Sequence, residues 1–100
     1  MKKKETRPFE RAHVYYSGRV QGVGFRYTAE ALAHELELSG WVKNTRDGRV
    51  ELVCEGPKED VEMLLERIRK STMGPHIKNA EVNWKKATQE FPDFRVEFDL

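Results

Sequence analysis

A chain of 100 residues, 38% hydrophobic and 35% charged, supports one modest core and holds too many apolar and aromatic positions for a disordered chain. Its 18 bases against 17 acids leave a net charge of +1, so no global field draws it toward nucleic acid. One cysteine, Cys54, and no run of signal-peptide or membrane-spanning character point to a reducing, cytoplasmic setting with no membrane partner.

Charge is uneven at the start of the chain. Met1 to Arg11 carries five bases (Lys2, Lys3, Lys4, Arg7 and Arg11) against Glu5 and Glu10, a local net of +3 that leaves −2 for the remainder. Residues 1–10 therefore read as a flexible, solvated basic arm, and residues 11–100 as the folded domain. Arg11 to Ser17 (RAHVYYS) is rich in Val and Tyr and stops at Gly18, which predicts a strand. Phe25, Ala29, Leu32, Ala33 and Leu36 form a helical stripe over Phe25 to Leu36. Gly40 to Asn44 and Arg49 to Glu55 flank Asp47-Gly48, a hairpin turn signal. Gly56-Pro57 opens a second helix, with Glu59 and Asp60 in its first turn, the stripe Val61, Leu64, Leu65, Ile68, and Arg67, Arg69, Lys70 at its end. Met73-Gly74-Pro75 stops it.

Ala80, Val82 and Trp84 alternate with Glu81, Asn83 and Lys85, the pattern of a half-buried strand. Phe94, Val96 and Phe98 alternate with Arg95, Glu97 and Asp99 in a last strand. The order βαββαβ plus a final β is that of an α+β, ferredoxin-like split βαβ sandwich. Both helices are expected on one face of an antiparallel sheet of order 4-1-3-2, with the fifth strand at an edge. The chain is expected to be a monomer.

Between the first strand and first helix lies GRVQGVGFR, Gly18 to Arg26. Its glycines permit positive φ and close backbone approach, so that successive N–H groups can face one centre at a helix N-terminus. Arg26 adds forked donors suited to phosphate oxygens. The loop holds Arg19 and Arg26 and no acid. Three other phosphate motifs are excluded. No Gly-Lys-Ser/Thr tripeptide follows the glycines, Tyr27 stands where the dinucleotide fingerprint needs glycine or alanine, and Val20 stands where a Cys-x5-Arg motif needs cysteine.

The hairpin segment is GWVKNTRDGRVELVCEG, Gly40 to Gly56. Together the two segments resemble the acylphosphatase family. Its first signature, V-Q-G-V-x-F-R, matches Val20, Gln21, Gly22, Val23, Gly24, Phe25 and Arg26. Its second, G-aromatic-V-x-N-x-x-D-G-x-V-E, matches Gly40, Trp41, Val42, Asn44, Asp47, Gly48, Val50 and Glu51. The resemblance implies hydrolysis of the carboxyl-phosphate bond of acyl phosphates. It implies that Arg26 binds the phosphoryl group together with the loop amides of Gln21, Gly22, Val23, Gly24, Phe25 and Arg26. It also implies that Asn44 orients the attacking water. Inorganic phosphate is then product and competitive inhibitor, and no cofactor or metal is called for.

The chemistry suits these residues. A carboxylate leaves without protonation, so a general acid is dispensable. Phosphoryl transfer runs largely on positioning and charge stabilisation. Neither motif supplies a Cys or His nucleophile, and Ser17 and Thr45 have no base near them in sequence, which favours direct attack by water. His13, His34 and His76 lack ligand spacing and read as surface or structural residues. Cys54 shares strand parity with Val50 and Leu52 and reads as a core thiol. Trp41 and Trp84 read as packing residues. Lys43, Arg46 and Arg49 oppose only Asp47, so the hairpin and the loop together are expected to form a positive mouth.

Two other readings have less support. A non-catalytic anion-binding or regulatory module could share the fold, and similar domains are fused in hydrogenase-maturation carbamoyltransferases. An RNA-recognition module shares the βαββαβ order, but stacks bases on aromatics of its third strand. Here that strand is RVELVCE, with none.

Overall fold

Alternation along Ala12, Val14 and Tyr16 decides which face of the sheet is dry. The computed structural model describes residues 7–98. In chain order the elements are β1 (Phe9–Gly18), α1 (Phe25–Glu35), β2 (Ser39–Asn44), β3 (Val50–Pro57), α2 (Lys58–Lys70), a 3₁₀ turn (Gly74–His76), β4 (Ile77–Lys86) and β5 (Phe94–Val96). The sheet order is β4-β1-β3-β2-β5, as expected. β1 pairs antiparallel with β3, setting Ala12 opposite Cys54, Val14 opposite Leu52 and Tyr16 opposite Val50. β2 adds Val42 opposite Leu52. Strand side chains alternate between faces, so all of these share one face, and all are buried.

The helices close that face. α1 buries Phe25, Ala29 and Ala33, spaced by one turn; the two alanines let its backbone come close to the sheet. α2 buries Val61, Leu64 and Ile68, each contributing about 1.5–3 kcal/mol by leaving water. Glu59 and Asp60 begin α2, and Arg67, Arg69 and Lys70 end it, each charge complementing the helix dipole. Cys54 is fully buried. Burial, aided by the neighbouring Glu55, pushes its thiol up to about 12.

Three expectations change. Strand pairing begins before residue 11, inside the segment expected to be an arm. Phe9 and Glu10 already pair with Pro57 and Gly56, and Arg7 forms ion pairs with Glu59 and Asp60 at the acidic start of α2. Residues 1–6, which carry Lys2, Lys3 and Lys4, lie outside the described residues, as do Asp99 and Leu100 of the predicted last strand. Second, β4 is not half-buried. Val82 and Trp84 are each 37% exposed, because β4 is the edge strand and the helices do not cover it. Alternation sets which way side chains point, and what lies above them sets burial. Trp84 packs instead beneath the Lys58 ammonium, 5.1 Å from its ring centroid.

Third, β5 joins the sheet parallel to β2, with Gly40 opposite Phe94 and Val42 opposite Val96. The direction follows from the route of the chain. β4 ends at Lys86, level with Glu10 at the far end of β1, and the chain must cross beneath the sheet to reach β2. Glu55 secures this crossing. Its carboxylate is fully buried, accepts from the Thr88 and Gln89 amides at 3.0 and 2.8 Å, and pairs with Arg11 Nε at 2.6 Å. Burial works to raise its pKa, but these amides and Arg11 outweigh it and the net shift is downward.

Candidate active site

The loop between β1 and α1 turns on glycines. Gly22 and Gly24 have φ of +77° and +85°, backbone that residues with a Cβ rarely adopt. A Cβ at either would meet nothing within 4 Å, so conformation demands glycine here, and the space in front of the loop stays open. Gly24 is the N-cap of α1 and has no side chain to cap it. Among the described residues, the amides of Gln21 to Arg26 donate to no backbone carbonyl. That leaves a row of donors at a positive helix end.

Gln21 ties this loop to the hairpin. Its Nε2 donates to the carbonyls of Thr45 and Arg49, both at 2.8 Å. The hairpin is braced internally: the Thr45 amide donates to the Arg49 carbonyl at 2.9 Å, and the Arg49 amide donates to the Thr45 hydroxyl at 3.0 Å. Thr45 also donates to Asp47. That hydroxyl, followed by Arg49, holds the Asp47 carboxyl down at about 2. Arg49 is thereby engaged, paired with Asp47 at 2.9 Å and lying 4.4 Å above the Tyr15 ring. Lys43 lies over Trp41. The positive mouth expected from Lys43, Arg46 and Arg49 is therefore largely committed to internal partners.

Asn44, the last residue of β2, immediately precedes Thr45. Its Oδ1 is shielded from solvent and accepts no hydrogen bond among the described residues. Such an acceptor costs about 1–3 kcal/mol if nothing supplies a donor. Arg26 lies in the first turn of α1, its guanidinium 5.0 Å from the centre of the Phe98 ring. No carboxylate of the described residues pairs with it. The register of β5 on β2, continued by the Glu97 amide donating to the Val42 carbonyl at 2.8 Å, brings Phe98 level with Asn44. The loop amides, Arg26 and Asn44 thus stand at one end of the sheet.

His13 and His34 are elsewhere. His13 Nε2 lies 2.7 Å from Glu51 Oε2 on the open face, and His34 Nε2 lies 2.8 Å from the Phe94 carbonyl. No group of three or more His, Cys, Asp or Glu among the described residues could hold a metal ion. Sequence reading gave no part to the side chains of Gln21 and Thr45, to Glu55 or to Phe98. The partners of Gln21, Glu55 and Phe98 lie far along the chain, where no local pattern marks them, whereas the Thr45 hydroxyl bonds within its own hairpin.

The acylphosphatase family model matches residues 12–96. The chain belongs to the acylphosphatase family. An acylphosphatase of Methylococcus capsulatus is 44% identical over 91 residues, covering 91% of this chain and 99% of that one. The crystal structure of the Bacillus subtilis acylphosphatase superposes with a TM-score of 0.82 at 32% identity, covering 88% of this chain and 98% of that one. The structure of a Coxiella burnetii acylphosphatase gives 0.74 at 39% identity, covering 97% of this chain and 100% of that one. As an acylphosphatase, the chain is an enzyme that hydrolyses acyl phosphates.

Proposed function

We propose that Arg26 and the amides of Gln21, Gly22, Val23, Gly24, Phe25 and Arg26 hold the phosphoryl group, and that Asn44 holds the attacking water. The observation that carries this reading is the Gln21 side chain. By bonding Thr45 O and Arg49 O, it fixes the spacing between the amide row and the strand end bearing Asn44. Phosphoryl transfer needs a nucleophile held in line with the leaving oxygen, and such positioning lowers the barrier substantially. The shielded Asn44 Oδ1 accepts a hydrogen bond from that water, while Arg26 spreads its fork against the equatorial oxygens. Asn44 is no base, so the water proton passes to the substrate's own phosphate oxygen. The bond from water oxygen to phosphorus forms as the bond from phosphorus to the acyl oxygen breaks. The carboxylate leaves with the electron pair.

On this reading the enzyme works without metal or cofactor, as a cytoplasmic monomer with no nucleic-acid or membrane partner. Inorganic phosphate is its product and competes for the same amides. No helix of the described residues is long and apolar enough to cross a membrane. The test is release of phosphate from benzoyl phosphate with a chelator present, beside an alkyl phosphomonoester. Full activity on the first and none on the second is expected. Loss on chelation with recovery on adding Mg²⁺ would overturn the metal-free mechanism.

A further inference from the structure

Phe98 lies outside both signature segments. Its side chain is 62% exposed, so core packing does not explain its place. It follows β5, and β5 is held alongside α1 at two points. At one, His34 Nε2 meets the Phe94 carbonyl at 2.8 Å, with the Phe94 ring buried in the core. At the other, the Phe98 ring covers the Arg26 guanidinium at 5.0 Å. The two spacings match. Arg26 and His34 are eight helical residues apart, about 12 Å at the helical rise. Phe94 and Phe98 are four residues apart, about 13 Å in an extended chain. The strand therefore lies along the helix as a brace whose far end reaches Arg26.

We infer that Phe98 is a positioning residue for phosphate binding, stacking on one face of the Arg26 guanidinium and leaving its edge free. A guanidinium offers a planar face to a ring and its N–H donors in the plane. A carboxylate neighbour would compete with phosphate for those donors, whereas a ring does not. The stack restricts a long, rotatable side chain to one plane before substrate arrives, so less freedom is lost on binding. The inference rests on the reading of Arg26 as the phosphoryl anchor.

The test compares Phe98→Leu and Phe98→Trp with the unaltered chain. It measures the Kd for inorganic phosphate, kcat and KM for benzoyl phosphate and acetyl phosphate, and the melting temperature. An exposed cation–π contact contributes about 0.5–1 kcal/mol, so Phe98→Leu should raise the phosphate Kd and both KM values by about 2- to 5-fold. The melting temperature should hold, and Phe98→Trp should restore the original values. In an Arg26→Ala background the Phe98→Leu change should no longer matter for kcat/KM. Unchanged phosphate affinity in Phe98→Leu would overturn the inference, as would Phe98→Trp behaving like Phe98→Leu. A KM rise for benzoyl phosphate alone would also overturn it, placing the ring against the acyl group. Arg26→Ala with normal phosphate affinity would instead remove the anchor reading beneath it.

Discussion

Two arginines stack on phenylalanine rings at opposite ends of the sheet. Arg11 lies 5.1 Å from the Phe91 ring centre and Arg26 lies 5.0 Å from that of Phe98. Their donors differ. Arg11 Nε donates to Glu55 at 2.6 Å and its Nη2 to Thr88 Oγ1 at 2.9 Å, with Glu90 3.6 Å away. Arg26 pairs with no carboxylate of the described residues. One guanidinium is engaged from within by Glu55 and Thr88 and holds the chain crossing in place. The other carries no such acid among the described residues, as the phosphate role proposed for it requires. Whether its fork is filled by the chain's own acids is what separates a structural arginine from a binding one, and the ring beneath it does not.

The largest effect expected on breaking this contrast is at Arg26. Arg26→Ala should cut kcat/KM by about 10³-fold or more, by analogy with arginines that stabilise a transferring phosphoryl group. Phosphate binding should fall with it, and stability should change little. Arg26→Lys should recover only a small part, since an ammonium has no fork. A near-normal rate in the alanine variant would show that the open guanidinium is not the anchor.

Asn44→Ala comes next and divides binding from chemistry. Asn44 is neutral, so the phosphate Kd should stay within about threefold while kcat falls about 10²–10³-fold, roughly 3–4 kcal/mol of transition-state stabilisation. Removing a shielded, unpartnered acceptor should not lower the melting temperature. A lower melting temperature with normal kcat in the folded protein would make Asn44 a hairpin residue only.

At Arg11 the pattern should invert. Arg11→Ala leaves the buried Glu55 carboxylate with the Thr88 and Gln89 amides and a long contact from the Thr88 hydroxyl. It should cost about 3 kcal/mol, the low end for breaking a buried pair, because two amides remain. That is a melting-temperature fall of roughly 12–24 °C for a domain of this size, with kcat of the folded protein unchanged. A pH effect smaller than these follows from the same group. Glu55 has a lowered folded pKa, so its contribution to stability is complete above the ordinary glutamate value of about 4.3. It is lost as pH falls through the lower folded value. Denaturation midpoints measured from neutral pH into acid should fall less steeply in Arg11→Ala than in the unaltered chain.

Sequence and structure agree most where the signal is local. The glycines of the first loop, the Asp47-Gly48 turn and the four-residue spacing of Phe25, Ala29 and Ala33 each specify their own conformation, and the strand order followed from them. Where burial depends on a neighbour distant in the chain, local pattern fails. Val82 and Trp84 alternate like core residues yet lie on an uncovered edge. Glu55 reads as the polar end of a strand, but becomes a buried clamp because Thr88 and Gln89 return to it. Gln21 was legible as a loop amide. Its side chain, which spans to Thr45 and Arg49, belongs to the tertiary structure. Phe98 could be read as strand, and its meeting with Arg26 depends on β5 running parallel to β2.

Cys54 has a consequence for handling the protein. Its thiol sits at the centre of β3, opposite Ala12 on one side and Gly40 on the other, fully buried and with its pKa pushed up to about 12. Thiolate is the species that alkylating reagents attack, so the folded chain should resist them at neutral pH. Modification then requires the central strand to open, and only one site can be modified. The rate at which an excess of reagent adds a single mass increment becomes a clock for opening of the core. It needs no introduced dye, it works in mixtures with other proteins, and it should slow when phosphate is added.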